Sequence, residues 1–346
     1  MFTPKSAMAD FTGCNCPGIT FFRLIRYNMV TAVMKALFKI GLLVLLGAVL
    51  LVFLSCKTAG PVASPVPWRA LPGVDPAKLG TVARDIIYGT AGNVLLKLDI
   101  YYPKACDGAV PAVVYVHGGG WTQGDKSGGA GAVEIPELVN RGYLVAAVNY
   151  RLAPQYQFPA QIEDVKNAIR FLRANAASYG VDTARFGAMG GSAGGHLVAL
   201  LGTTDTSAGL EGAGGYADRS SRVQAVVDLF GPSDLSIMFP GNSVIILEQV
   251  FGTRDPRSEK ARMASPVTYV SPDDPPFLIL HGDKDTLVPL SQSRILYDRL
   301  LAAGVTASLV VVKNGGHGFT PVGGAISPTR LELTNAIADF FDKYLK

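Results

Sequence analysis

Apolar runs alternate with amphipathic segments from about residue 81 to the C-terminus, and the two periodicities predict the elements in turn. Leu96, Leu98, Ile100 and Tyr102 share one face of an alternating run whose other face carries Lys97 and Asp99. That pattern predicts a half-buried strand over 96–102. Residues 112–116 and 144–148 are apolar throughout, as strands covered on both faces should be. Behind Pro159, Ile162, Val165, Ile169 and Leu172 recur at three- and four-residue spacing, predicting a helix over 159–177. Further strands are predicted over 185–189, 223–229, 277–280 and 308–312, and helices over 193–201, 290–303 and 331–344. Such alternation implies an α/β fold, a mostly parallel sheet with helices on both faces.

Two stretches interrupt the alternation. Residues 203–221 are glycine-rich, and 232–270 carry Ile237, Met238, Phe239, Val244, Ile245, Ile246 and Leu247 between two predicted strands. Insertions at the carboxyl ends of strands line the crevice where ligands bind. The second stretch is therefore expected either as a small cap or as an extra surface helix packed on the body. No internal repeat is present.

The chemistry is concentrated at Gly190-Gly191-Ser192-Ala193-Gly194, between the strand over 185–189 and the helix over 193–201. Glycines two residues either side of a serine permit a very sharp turn that lifts the hydroxyl into the open at a helix N-terminus. A serine hydroxyl is a poor nucleophile at neutral pH and needs a base, which in turn needs an orienting acid. Of the four histidines, His196 sits one turn beyond Ser192 on the same helix and is read as structural. His281 ends a strand and is read as a turn residue, while His117 opens a glycine run upstream of the serine. His317, in the flexible loop Asn314-Gly315-Gly316-His317-Gly318-Phe319 after the last strand, is the expected base. Asp285, in the segment 281–289, is the expected acid; Asp283 is the second candidate, with Asp228 and Asp234 behind it.

Acyl transfer builds negative charge on a carbonyl oxygen, and N–H donors must already point there. The run His117-Gly118-Gly119-Gly120-Trp121 follows a strand and supplies them. Gly118 and Gly119 are the expected oxyanion donors, with Ala193 as a third. Trp121 either flanks the acyl pocket or anchors the loop in the core.

His117–Trp121, Tyr150-Arg151-Leu152-Ala153-Pro154 with Phe158-Pro159-Ala160, Gly190–Gly194, Asp285 and His317 together resemble the α/β-hydrolase esterases related to hormone-sensitive lipase. Within them the chain looks most like the bacterial group of feruloyl and acetyl-xylan (BD-FAE-like) esterases. The resemblance runs from about residue 85 to the C-terminus. It implies an α/β-hydrolase fold with an eight-stranded sheet, a triad of Ser192, Asp285 and His317, and neither metal nor cofactor. Tyr150 and Trp121 are the candidate substrate-binding side chains. The expected function is hydrolysis of short-chain or carbohydrate-linked (acetyl or feruloyl) esters through an acyl-serine. An amidase such as an arylformamidase, a serine peptidase, and a non-catalytic binding protein on the same scaffold are the alternatives. Many lipase-like relatives carry a longer N-terminal cap, so a more open site is implied here.

Charge and length refine this picture. The chain has 346 residues, 49% hydrophobic and 17% charged, enough for one large α/β domain and a tail. Its net charge of +4 resides entirely in residues 1–56, where Lys5, Arg23, Arg26, Lys35 and Lys39 face only Asp10. The remainder is neutral, which gives nucleic-acid binding no support. Lys35 and Lys39 precede an apolar run over 40–54 that ends at Ser55-Cys56. This is a leader with the features of an export signal, short of the roughly 20 residues a membrane span needs. A cysteine after a small residue resembles the lipobox of bacterial lipoproteins, though Phe53 stands where that pattern prefers leucine. Lipidation at Cys56 and anchoring to a membrane or residence in the periplasm are the expectation, with an ordinary signal peptide and a retained anchor as alternatives. Met34 (or Met29) is the expected start. Cys14 and Cys16 lack a second pair, so no metal site is expected. Residues 57–80, with Pro61, Pro65, Pro67, Pro72 and Pro76, read as an extended tether, and the catalytic domain as 81–346.

Overall fold

The middle of the sheet is built on strands whose residues are apolar on both sides. The computed structural model describes residues 75–346. The leader over 1–56 with Cys56, and the tether as far as residue 74, lie outside the described residues. Strand β3 (Val110–Val116) is buried at every position. Its Ala112, Val114 and Val116 enter one core layer, and Val113 and Tyr115 the other. Strand β4 (Leu144–Val148) is likewise buried throughout. Eight strands are ordered β1-β2-β4-β3-β5-β6-β7-β8. The others are β1 (Val82–Ala91), β2 (Val94–Tyr101), β5 (Val181–Gly191), β6 (Ala225–Leu229), β7 (Phe277–Gly282) and β8 (Ala307–Val312). β1 pairs antiparallel with β2, and β2 with β4. From β4 onward every pairing is parallel.

Helices cover both faces. α1 (Ile135–Asn140) and α8 (Arg330–Leu345) bury Leu138 and Phe341 on one side. On the other side lie α2 (Ala160–Ala174), α4 (Ala193–Thr203) and α7 (Ser291–Ala302), through Ile162, Leu197 and Leu296. The helix expected over 159–177 ends at Ala174 and resumes as the short α3 (Ala176–Tyr179), because Asn175 leaves helical geometry between them.

Two elements escape the periodicity. In β1 the register shifts between Ala83 and Ile86 and again between Ile87 and Gly89, which destroys the alternation a strand normally displays. α1 is only six residues long. Asp99 does lie on the polar face of β2, yet it is fully buried. Lys126 and Arg84 meet its carboxylate at 3.2 and 3.1 Å, and the Asp85 N–H donates to it at 2.8 Å. A buried charge is tolerable only when paired in this way.

The insertion over 232–270 contains α5 (Val244–Phe251) and α6 (Glu259–Met263), capped by Ser243 and Ser258. α5 packs on the body through Leu247, Val250 and Phe251 while Ile246 edges the cleft beside Ser192.

Candidate active site

Strand β5 ends at Gly191 and α4 begins at Ala193, which leaves Ser192 alone to turn the chain, at φ 58° and ψ −120°. The elbow presses against β3. A Cβ on Gly194 would stand 2.1 Å from the Val116 carbonyl oxygen, so only glycine fits there. The Ser192 N–H donates to the Leu229 carbonyl at 2.9 Å, which ties the turn to β6.

His317 Nε2 lies 3.0 Å from Ser192 Oγ, and His317 Nδ1 lies 2.7 Å from Asp285 Oδ2. The other carboxylate oxygen, Oδ1, accepts from the Leu287 and Val288 N–H groups, each at 2.9 Å. Nδ1 of His317 therefore carries the proton in the neutral ring, leaving Nε2 to accept from the serine hydroxyl. Burial alone would raise the Asp285 pKa. The nearby His281 ring together with hydrogen bonds from His317 and the Val288 N–H outweighs it and holds the carboxyl well below the usual range.

The His317 loop is fixed rather than free. The Gly316 N–H donates to Thr320, the Lys284 N–H to Gly315, and Phe230 packs edge-on against the imidazole with centroids 4.9 Å apart. The other acidic candidates lie elsewhere. The Asp283 carboxylate lies 3.9 Å from the Lys284 ammonium. Asp234 accepts from Ser236, and Asp228 from the Gly231 N–H.

The glycine loop runs directly past the elbow, where a Cβ on Gly118 would lie 2.7 Å from the Gly191 carbonyl oxygen. Among the described residues no acceptor engages the N–H groups of Gly118, Gly119 or Ala193. They are free to meet an oxyanion. His117 braces this loop. Its Nδ1 donates to the Gly118 carbonyl at 2.7 Å, and its ring stacks on Tyr150 at 4.3 Å. Burial lowers the His117 pKa, which keeps the ring neutral near pH 7.

The structure corrects both substrate-binding candidates. Trp121 is only 3% exposed and lies outside the residues lining the cleft. Its indole N–H donates to His196 Nδ1 at 3.1 Å, and it packs against Phe251, so it anchors the loop in the core. Tyr150 is also buried, with its hydroxyl on the His117 carbonyl at 3.0 Å. A large aromatic with its polar atom satisfied inside the protein has nothing left for a ligand. His196, with Nε2 on the Ala264 carbonyl at 2.6 Å, completes the internal network, as its place on α4 suggested.

The reading of His281 as a residue at a strand end did not foresee its contact with the acid. It lies fully buried at the end of β7, with Nε2 3.5 Å from Asp285 Oδ2. Its presence four residues before the acid was the available signal.

The cleft above these groups encloses about 660 Å³. Thr122, Gln123, Asp125 and Ser127 make a polar wall, while Phe230, Ile246 and Leu287 make an apolar one.

Residues 98–300 match the BD-FAE family. The chain is similar to LipM of Mycobacterium tuberculosis, described as a probable carboxylic ester hydrolase. The two are 35% identical over 229 residues, 62% of this chain and 51% of that protein. A truncated carbohydrate esterase from gut microbiota has a similar structure, with a TM-score of 0.66 at 32% identity over 78% of this chain and 98% of its own. The butyrate-bound esterase Est2 of Thermogutta terrifontis gives 0.63 at 27% identity, over 78% and 94%. The chain spans between about half and two thirds of the length of the curated relatives it matches.

Proposed function

This chain belongs to the BD-FAE family, and on that premise we propose that it is a serine hydrolase of carboxylic esters working through an acyl-enzyme. The hydrogen-bonded line from Ser192 through His317 to Asp285 carries the reading. Ser192 Oγ attacks the ester carbonyl carbon while His317 Nε2 takes the hydroxyl proton. The bond to the alcohol oxygen then breaks, and His317 returns the proton to that oxygen. Water repeats the sequence on the acyl-serine, releasing the acid and restoring the hydroxyl. Asp285 holds the imidazole in the required tautomer and stabilises the imidazolium. The Gly118, Gly119 and Ala193 N–H groups receive the oxyanion, each worth on the order of 3 kcal/mol in the transition state.

Short acyl groups on small or carbohydrate-linked alcohols are the proposed substrates, acetyl and feruloyl esters among them. Support comes from the polar wall of the cleft and from the similar carbohydrate esterase and butyrate-bound esterase. Labelling with a fluorophosphonate, beside a p-nitrophenyl ester chain-length series and acetyl release from xylan, tests the reading. Wild-type protein should label and Ser192→Ala should not. A wild type as inert as that variant overturns the enzyme reading, and preference for acyl chains beyond about eight carbons overturns the short-acyl one. Anchoring through a lipid on Cys56 is a companion proposal, supported by the basic and apolar run before Ser55-Cys56. It fails if Cys56→Ala leaves the protein as membrane-associated as before.

A further inference from the structure

The loop that follows the oxyanion glycines carries Thr122, Gln123, Asp125 and Ser127 along one wall of the cleft. Among the described residues, Asp125 is the one carboxylate that lines the cleft, and neither lysine nor arginine lines it to offset that charge. The neighbouring Lys126 points its ammonium behind the loop instead, 3.2 Å from both Asp85 and Asp99. Asp125 is also fixed in place. Asn149, directly after β4, donates from Nδ2 to Asp125 Oδ2 at 2.8 Å and accepts the Lys126 N–H on Oδ1 at 2.6 Å. The Asn149 carbonyl is held in turn by the Tyr88 hydroxyl at 2.6 Å, and the Ser127 N–H meets Asp125 Oδ1 at 2.9 Å.

We propose that Asp125 is a specificity-determining residue that favours esters whose alcohol part carries free neighbouring hydroxyl groups and disfavours esters whose alcohol part is anionic. The inference rests on the esterase reading above. A carboxylate has about four lone-pair sites, and the two donors just named leave acceptor capacity on an exposed side chain. A hydroxyl donating to a carboxylate makes a charge-assisted bond, about twice as strong as a neutral one. The donors around Asp125 keep it ionised. Although burial pushes its pKa up, hydrogen bonds from Ser127 and Asn149 and the charge of Lys126 pull it well below the usual range. An anionic group entering the same cleft meets that charge, and among the described residues no lysine or arginine lines the cleft to answer it.

The test compares kcat/KM for ethyl acetate, glycerol monoacetate and 2-acetoxyacetate in wild type and Asp125→Asn. The variant should lose about tenfold on glycerol monoacetate relative to ethyl acetate, and gain about tenfold on 2-acetoxyacetate relative to ethyl acetate. A merely structural role for Asp125 would lower all three together, and unchanged ratios overturn the inference. Wild type supplies a second measurement that needs no variant. Its discrimination between ethyl acetate and 2-acetoxyacetate should shrink as salt rises to about 1 M, where the screening length is about 3 Å. Discrimination that ignores salt also overturns the inference. Failure of wild type to turn over any of the three, with no fluorophosphonate label, overturns the esterase reading itself.

Discussion

Two imidazoles face one oxygen of Asp285: His317 Nδ1 at 2.7 Å and His281 Nε2 at 3.5 Å. His281 also places Nε2 2.8 Å from the Val288 carbonyl, so that nitrogen carries its proton, and Nδ1 accepts from the Ser293 hydroxyl at 2.7 Å. Both ring nitrogens are therefore engaged by the protein, which fixes the ring beside the carboxylate. With Leu287 and Val288 holding Oδ1, the Asp285 carboxylate has one oxygen for the backbone and one for the imidazoles.

Asp285→Asn places an amide NH₂ where an acceptor is needed, or forces the wrong tautomer on His317. We expect kcat for p-nitrophenyl acetate to fall by about 10⁴-fold with the fold intact. Steady-state kinetics beside a circular dichroism spectrum checks this, and a loss below about tenfold would show that another acid serves His317.

Trp121→Phe removes the indole donor from His196 Nδ1 in a fully buried site. An unsatisfied buried acceptor costs about 1–3 kcal/mol. Urea denaturation should record that loss, while the acyl chain-length preference stays as in wild type. A changed preference with unchanged stability would return Trp121 to the substrate pocket.

Gly194→Ala drives a Cβ into the Val116 carbonyl oxygen at 2.1 Å, a backbone atom with no freedom to retreat. Overpacking of this kind typically costs about 1–3 kcal/mol, and here the strain falls on the elbow itself. Loss of soluble yield, or a lowered Tm together with abolished fluorophosphonate labelling, is the expected outcome. A variant that labels at the wild-type rate would show that the elbow has more room than the contact allows.

Asp228 supplies a pH-dependent prediction. Burial pushes its carboxyl up to about 6, against the Gly231 N–H and the His281 ring pulling it down, and among the described residues Oδ2 has no hydrogen-bond partner. In the unfolded chain the group titrates near 3.9. Between those values the folded state binds more protons, so stability is full below about 4 and falls as pH rises to about 6. The loss amounts to about 3 kcal/mol and levels off above that. Asp228→Asn lacks this window. Urea midpoints at acid and neutral pH should show the variant gaining on wild type as pH rises, and parallel curves would refute the assignment.

Much of this protein could be read along the chain because its signals are local. Strands covered on both faces are short apolar runs, and the turn around Ser192 requires glycine at positions that can be counted. The expectation for Ser192, Asp285 and His317 rested on their places at or after strand ends, and folding brings those three side chains within hydrogen-bond distance. The strand β1 was illegible for an equally local reason, since its two register shifts erase the alternation.

What only the tertiary structure decided is where long-range partners satisfy polar atoms. Trp121 and His196 are 75 residues apart, yet their hydrogen bond places the indole in the core and away from the cleft. Asp99 can be buried because Lys126, from a distant loop, brings a compensating charge. His281 supports Asp285 because the chain turns back within four residues at the end of β7. Periodicity records which faces avoid water and glycine records where the backbone must bend. Which polar atoms find each other depends on packing between segments remote in the chain, and no local pattern carries that information.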